Sequence, residues 1–266
     1  MAVVELSNPR PGITQITLNR PDKLNAMTTE LVEGLHSALD DIAVDRHTRV
    51  VVLTGAGRGF CAGLDLGGYG RAPHTEGLGR VHSGFAVQKR IAGLIPQMRA
   101  LPQPIIAAVN GPAAGGGFAL VLGSDVRMAA RSAKFNAAFI RIGLTACDIG
   151  TSWMLPRIVG VARAQELMLT GRVFDSDEAY RIGLIVELLD DDSLLEAAYA
   201  KAEQIMLNSP IGVALTKEGM WTALEVPMQA AIDIENRQQV MVSQTADHRE
   251  GMIAFRERRP PNYTFE

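Results

Sequence analysis

The first two thirds of the chain alternate between short apolar runs and longer stretches with apolar residues at helical spacing. The short runs contain many β-branched residues and are mostly flanked by Gly, Pro, Asn or Asp, at 13–18, 50–53, 105–109, 126–129 and 183–189. The longer stretch after Thr28, a residue suited to cap a helix, has apolar residues at Leu31, Leu35, Leu39 and Ile42. Strands that alternate with helices predict an α/β fold with mostly parallel strand pairing.

The pattern changes in the last third of the chain. No strand-like run follows residue 191, and four helical stretches occupy 193–207, 211–224, 227–244 and 247–259. This change predicts an α/β core at 1–205 and a C-terminal helical region at 206–266. Methionines on these last helices are typical of a protein core or a subunit interface. Residues 67–80 contain scattered glycines and charges without an apolar period, so we expect a flexible loop there.

Composition excludes several classes of protein. Of the 266 residues, 47% are hydrophobic and 21% are charged, which is typical of a globular domain. Lysine and arginine total 26 against 29 aspartates and glutamates, with no basic block, so a nucleic-acid partner is not expected. The two cysteines form no CxxC pair and the five histidines show no zinc spacing. The sequence therefore predicts a cytoplasmic protein with no bound metal and no membrane span.

Two glycine-bearing segments, 59–66 and 110–118, each follow a predicted buried strand. Glycines 115–117 allow the backbone to approach a ligand closely, and they free amide groups at the start of a helix. Two such amides from separate loops, directed at one oxygen atom, form an oxyanion hole. Tight turns needed only for packing explain the spacing equally well. Neither segment matches the phosphate-loop or dinucleotide fingerprint, which disfavours ATP and NAD as ligands.

A set of motifs along the chain makes the interpretation more specific. Besides the two glycine segments, the set comprises Leu18-Asn19-Arg20-Pro21, Leu24-Asn25-Ala26, Pro104-Ile105-Ile106-Ala107-Ala108-Val109-Asn110-Gly111, Leu169-Thr170-Gly171 and Arg249-Glu250-Gly251-Met252. In this order, the motifs resemble the crotonase family, the enoyl-CoA hydratase/isomerase superfamily. The resemblance extends over nearly the whole chain.

The resemblance implies both a fold and a ligand. The fold is a crotonase spiral of ββα units with a C-terminal helical trimerisation region, assembled as a homotrimer or a dimer of trimers. The ligand is an acyl-CoA thioester, so coenzyme A is part of the substrate and no separate cofactor is expected. The backbone amides of Leu64 and Gly116 are implied as the donors to the thioester oxygen when it becomes an enolate.

The resemblance also implies a set of substrate-contacting residues: Lys23, Leu24, Ala62, Asp65, Leu66, Phe139 and Arg258. Lys23 and Leu24 match the family's CoA-entry positions. Arg258 matches a basic residue that reaches a CoA phosphate from the last helix, often the last helix of another subunit. A solvated surface charge explains Lys23 and Arg258 equally well.

The sequence departs from the family at the two positions where hydratases carry glutamates. Ala119 and Phe139 stand there, and neither side chain can accept a proton from water. Asp148 remains as a catalytic acid/base candidate, because it aligns with an aspartate of some family isomerases and hydrolases when counted from Leu155-Pro156-Arg157. Counted from Gly143, it lies one residue late. The alternatives are that Asp148 caps the helix after Gly150 or pairs with Arg157.

Other reactive side chains have weaker support. Cys147 has no histidine placed by sequence to activate it. Cys61 stands at a position where the family tolerates Cys, Ser or Ala. Several polar residues lie in or near the 67–80 loop or near Phe139, namely Tyr69, His74, Glu76, His82 and Arg141. Double-bond isomerisation of an unsaturated acyl-CoA is the predicted reaction. Hydration of a 2-enoyl-CoA, thioester hydrolysis and acyl-CoA binding without catalysis stay open as alternatives.

Overall fold

The protein, analysed as a computed structural model, is described at residues 2–70, 73 and 75–264. Its main sheet has six strands in the order β1-β2-β3-β4-β6-β9, and a small second sheet has the order β5-β7-β8. The strands are β1 Val4–Arg10, β2 Ile13–Leu18, β3 Val50–Gly55, β4 Ile105–Val109, β5 Ala113–Ala114, β6 Val126–Ala130, β7 Lys134–Asn136, β8 Phe174–Asp175 and β9 Glu187–Leu189. From β2 to β9, neighbouring strands of the main sheet pair in parallel, as predicted.

Helices cover both faces of this sheet. They are α1 Thr29–Val44, α2 Arg80–Ala92, α3 Leu94–Ala100, α4 Gly116–Gly123, α5 Thr151–Val159, α6 Val161–Thr170, α7 Ser176–Arg181, α8 Leu194–Met206, α9 Pro210–Ala223, α10 Met228–Ser243 and α11 Ala246–Glu257. Short 3-10 helices occupy Pro21–Lys23 and Ala138–Ile142. The apolar side of α1 packs into the larger core cluster, and α8 packs into the smaller cluster on the opposite face. The capping interpretation of Thr28 is confirmed, because its hydroxyl accepts from the Leu31 amide at 3.3 Å.

The last three helices pack differently from the core. On α9 only Lys217 is buried, and α10 buries none of its residues. Lys217 and Trp221 both contact Asp125, which immediately precedes β6, so α9 lies at the amino ends of the parallel strands. Methionines 220, 228 and 241 stay exposed. Helices α9 and α10 therefore bury few of their residues against the core, and the boundary at residue 205 stays a prediction.

One strand prediction needs correction, and one strand was not predicted. The run at 183–189 is a strand only at Glu187–Leu189, because Gly183 has a φ of +77° and ends the preceding helix in a turn. Strand β1 was missed because most of its residues are exposed and it pairs antiparallel with β2 at the sheet edge. Within the described residues, no helix has the length and apolarity needed to cross a membrane.

Candidate active site

The two glycine segments meet at the carboxyl ends of β3 and β4. Because these strands are parallel neighbours, the chain leaves both at the same edge of the sheet. The Asn110 side chain ties the second segment to the turn that leads into the first, since its Nδ2 donates to the carbonyls of Gly55 and Gly57 at 2.8 and 2.9 Å. Further along, the Ala114 amide donates to the Cys61 carbonyl at 2.9 Å. The structure thus brings segments 59–66 and 110–118 side by side.

Glycine is required where these segments touch. A Cβ atom on Gly117 would lie 2.6 Å from the Cys61 Cβ and closer still to the Cys61 carbonyl oxygen. Gly63 has a φ of +88°, and its Cβ would lie 2.7 Å from the Ala114 oxygen and 3.5 Å from the Gly116 nitrogen. The residue before Leu64 therefore lies next to the Gly116 amide.

The backbone pairing around Leu64 and Gly116 decides whether their amides already have hydrogen-bond partners. Met27 pairs with the residues on either side of Leu64, because its amide donates to Gly63 at 2.7 Å and its carbonyl accepts from Asp65 at 3.0 Å. This pairing directs the Leu64 amide away from Met27. Gly116 is the first residue of α4, where an amide has no intrahelical acceptor. Among the described residues, neither amide donates a hydrogen bond, as an oxyanion hole needs.

A buried asparagine supports the first of these segments. The Asn25 Nδ2 atom donates to the Gly59 carbonyl at 2.7 Å, and its Oδ1 accepts from the Arg20 amide at 2.8 Å. Leu24 and Asn25 both have positive φ, and the Leu24 carbonyl accepts from Ala62 at 2.9 Å. The Leu-Asn-Ala motif in the sequence marked this place, but the supporting role of Asn25 was not predicted.

The carboxylate of Asp65 already has protein partners. Arg20 Nη2 lies 2.9 Å from its Oδ2, and the Gly67 amide donates to its Oδ1 at 3.0 Å. The Arg20 guanidinium holds the pKa of Asp65 below its usual range. The other predicted contact residues of this loop are more open: Lys23 and Leu66 are exposed, and Leu24 and Ala62 are half-buried. The hydrogen bond between the Ala62 amide and the Leu24 carbonyl brings these two half-buried residues together near Leu64.

Apolar side chains form the wall around the Gly116 amide. From the position of a Gly116 Cβ, Met27 Sδ is 2.5 Å and Ile149 Cδ1 is 3.4 Å away. Phe139 Cε1 lies 3.5 Å from the corresponding position on Gly115, and Ala119 is fully buried on α4. Neither position that carries a glutamate in the family's hydratases supplies a carboxylate here.

Asp148 is the carboxylate next to this wall in sequence, since it precedes Ile149. Its Oδ1 accepts from the Ile149 amide at 2.7 Å and from Nε2 of Gln88, a residue of α2. Its carboxylate does not cap α5, whose N-cap residue Gly150 makes no side-chain cap bond. Nor does it pair with Arg157, whose guanidinium lies 3.9 Å from the Trp153 ring centroid. Both structural alternatives for Asp148 were therefore wrong.

The weaker candidates lie in different settings. Burial raises the pKa of the Cys61 thiol to about 12, which keeps it protonated at neutral pH. Tyr69 has a buried hydroxyl with no hydrogen-bond partner among the described residues, and burial raises its pKa. The remaining side chains, Glu76, His82, Arg141 and Cys147, are exposed, and His74 lies outside the described residues.

Arg258 lies in the C-terminal helical region, where it ends α11. That region contacts the amino ends of the strands, whereas Leu64 and Gly116 lie at the carboxyl ends. Two grooves, of about 990 and 720 Å³, are also lined by the C-terminal region and by residues beside the strands' amino ends. Among the described residues, no cluster of three His, Cys, Asp or Glu side chains could hold a metal ion.

Comparisons with known proteins agree with this geometry. The family described as enoyl-CoA hydratase/isomerase matches residues 9–266. "Probable enoyl-CoA hydratase EchA12" of Mycobacterium tuberculosis (strain ATCC 25618 / H37Rv) is 43% identical, over 99% of this chain and 93% of the relative. "1,2-epoxyphenylacetyl-CoA isomerase" of Escherichia coli K12 is 38% identical, over 97% of each chain.

A solved structure shows the same fold. The crystal structure of a "probable enoyl-CoA hydratase/isomerase" from Mycobacterium abscessus has a TM-score of 0.93, at 40% identity over 98% of both chains. The main sheet, the small second sheet and the C-terminal helices together form the crotonase fold. The chain belongs to the enoyl-CoA hydratase/isomerase family, whose members act on acyl-CoA thioesters.

Proposed function

We propose that this chain moves a double bond along an unsaturated acyl-CoA, converting a 3-enoyl-CoA to a 2-enoyl-CoA. The observation that carries the proposal is the identity of the side chains at the positions where the family places its proton-transfer groups. The hydratase positions are Ala119 and Phe139, and Asp148 is the acid that adjoins the wall of the site. One carboxylate can carry one proton between two carbon atoms, whereas the family's hydration uses two carboxylates on a water molecule.

The reaction has two balanced proton transfers. Asp148 removes a proton from Cα of the 3-enoyl thioester, and the electron pair moves into the carbonyl group to give a dienolate. The amides of Leu64 and Gly116 donate to the oxygen that becomes negative, at about 3–4 kcal/mol for each well-placed donor. The protonated Asp148 then returns the proton to Cγ, which forms the double bond between Cα and Cβ. Coenzyme A enters and leaves as part of the substrate.

Hydration of a 2-enoyl-CoA is the second candidate reaction. It is favoured by the name of the mycobacterial relative, a probable enoyl-CoA hydratase at 43% identity. It would need Asp148 alone to activate the water molecule. The name of the 38% identical Escherichia coli relative, an isomerase, favours the first reaction instead.

The C-terminal helical region is proposed to join subunits into a trimer or a dimer of trimers. Support comes from the exposed methionines of α9 and α10 and from the groove beside Trp153 and Trp221. In such an assembly, Arg258 would reach the CoA phosphate of a neighbouring subunit. Light scattering of the purified protein measures the mass, and a monomer at micromolar concentration would contradict the assembly.

Absorbance near the band of the conjugated thioester distinguishes the reactions. We expect a 3-enoyl-CoA to gain conjugation and crotonyl-CoA to stay unchanged. Loss of crotonyl absorbance without release of free thiol would instead establish the hydratase, and release of free thiol from either compound would establish a hydrolase. Tight acyl-CoA binding with no change in either compound would identify a binding protein without this catalysis.

A further inference from the structure

The hydrogen bonds of the Asp148 carboxylate are unevenly divided between its two oxygens. Oδ1 accepts from the Ile149 amide at 2.7 Å and from Gln88 Nε2. In the part of the chain that the structure describes, Oδ2 has no hydrogen bond or ion pair. One oxygen is therefore held by the protein, and the other keeps its lone pairs for a proton.

The Gln88 side chain has a single hydrogen-bond partner in the described structure. That partner is Asp148, although 60 residues separate the two along the chain. Gln88 lies on α2, the helix that begins where the 67–79 connection ends. Without it, the Ile149 amide of the same loop would be the remaining donor to the carboxylate.

The backbone after Asp148 is strained, so a second hydrogen bond to the Asp148 carboxylate helps to hold this loop. Ile149 has a φ of +45° and Gly150 a φ of +74°. A β-branched residue in this left-handed region costs on the order of 1–3 kcal/mol, so surrounding contacts must hold it. Ile149 meets that condition through its buried side chain, which packs beside Gly116.

The charged residues nearby make no ion pair with this carboxylate. On α2, Arg90 pairs with Glu33 at 2.6 Å, and Lys89 has no ion pair among the described residues. On α5, the Arg157 guanidinium lies over Trp153. Exposed Arg141 lies in the 3-10 helix that precedes the Asp148 loop. A neutral amide therefore supports Asp148, and no cation pairs with its carboxylate among the described residues.

We propose that Gln88 is a positioning residue that holds Asp148 Oδ1 and so directs Oδ2 at the acyl carbons. This inference rests on the proposed role of Asp148 as the proton carrier. Gln88 itself does not contact the substrate in this proposal. It fixes the direction of the base through one hydrogen bond from a neutral amide.

Three substitutions at Gln88 test the proposal with 3-enoyl-CoA as substrate. Gln88→Leu removes the donor, and we expect kcat to fall about tenfold while KM changes by less than about twofold. Gln88→Glu adds a negative charge and should move the acidic limb of the kcat–pH profile up by about one unit. Gln88→Lys should move the same limb down. If Gln88 only supported the fold, its variants would lower kcat, but Gln88→Glu and Gln88→Lys would not shift the acidic limb in opposite directions.

Lys89→Gln is the matched control, because it changes the net charge by the same amount as Gln88→Glu on the same exposed helix. We expect its kcat to be unchanged and its pH limb to shift by less than about 0.3 unit. Wild-type kcat and wild-type limbs in all three Gln88 variants, beside an inactive Asp148→Asn, would overturn the positioning role alone. Wild-type turnover in Asp148→Asn would overturn the proton-carrier role itself and, with it, this inference.

Discussion

The Lys217 ammonium lies 2.9 Å from the Asp125 carboxylate, between α9 and the start of β6. The same Nζ atom donates to the carbonyls of Met98 and Gln103 at 2.9 and 3.1 Å. Burial lowers the pKa of Lys217, while the Asp125 charge opposes that shift. This contact therefore joins the C-terminal helical region to the core through a cation with three partners.

Lys217→Met should strongly destabilise the protein. The substitution keeps the apolar stem but removes all three donors, and it leaves the Asp125 carboxylate without its cation. Breaking a buried ion pair costs about 3–5 kcal/mol. The Trp221 and Ile105 nitrogens still donate to Asp125, so we expect the lower end of that range. Urea unfolding at one fixed protein concentration measures the free energy of unfolding.

Lys201→Met is the control for this prediction. The Lys201–Glu187 pair is also short, at 2.5 Å, but its side chains are 28% and 37% exposed. An exposed ion pair contributes about 0–1 kcal/mol, so this variant should lose at most that amount. Equal losses in the two lysine variants would contradict the importance of burial at Lys217.

Gly117→Ala tests the contact between the two glycine segments. The new Cβ would press against the backbone of Cys61, and overpacking of this kind costs about 1–3 kcal/mol. Because Gly117 follows Gly116, a backbone shift would also displace the proposed oxyanion donor and lower kcat.

Gly84→Ala is the matched control, since Gly84 is helical with no atom near its Cβ position. We expect it to gain about 0.5–1 kcal/mol and keep its turnover. Similar unfolding curves and rates for both variants would refute the tight contact.

The amount of fold that the sequence reveals depends on burial. Strands β3 and β4 are buried along their whole length, so their apolar runs predicted them to within two residues. Strand β1 is an exposed edge strand, and its side chains carry little of that signal. The prediction for 183–189 is confirmed only at Glu187–Leu189, because an apolar run can also pack in a turn, as it does after Gly183.

The candidate site divides in the same way. The close backbone contacts at Gly63 and Gly117 require glycine, so the sequence shows where they lie. The resemblance to the family adds which amides act as donors. Gln88 leaves no mark, because its partner lies 60 residues away and an exposed glutamine on a helix is ordinary. The left-handed conformation of Ile149 could not be predicted either, since isoleucine is not a residue type that favours it.

Acid should loosen the C-terminal tail through Glu250. Arg259 donates to both carboxylate oxygens of Glu250, at 2.6 and 2.9 Å, and lowers the pKa of Glu250 to about 2. Because the folded pKa is below the unfolded value, the stabilisation is complete above pH 4.5 and is lost as the pH falls toward 2. Glu250→Gln removes this dependence.

Thermal unfolding midpoints at pH 6 and pH 3 measure the effect. The midpoint of the wild type should fall further between these pH values than that of Glu250→Gln. Glu218→Gln, a neutralised exposed side chain on α9, controls for the lost charge and should behave as the wild type does. Parallel curves for the wild type and Glu250→Gln would argue against the pair as the source of acid sensitivity.

Asp148→Asn separates binding from proton transfer. The amide oxygen of asparagine can still accept from Ile149 and Gln88, so the loop keeps its shape, but the side chain no longer takes a proton at neutral pH. We expect turnover of 3-enoyl-CoA to fall at least about 10²-fold, and affinity for saturated butyryl-CoA to stay within about twofold. Cys147→Ser, an exposed neighbour, should keep wild-type values of both. Steady-state kinetics and titration calorimetry give the two quantities. A loss of affinity without a loss of kcat would move Asp148 from chemistry to binding, because the carboxylate would then act before the proton leaves Cα.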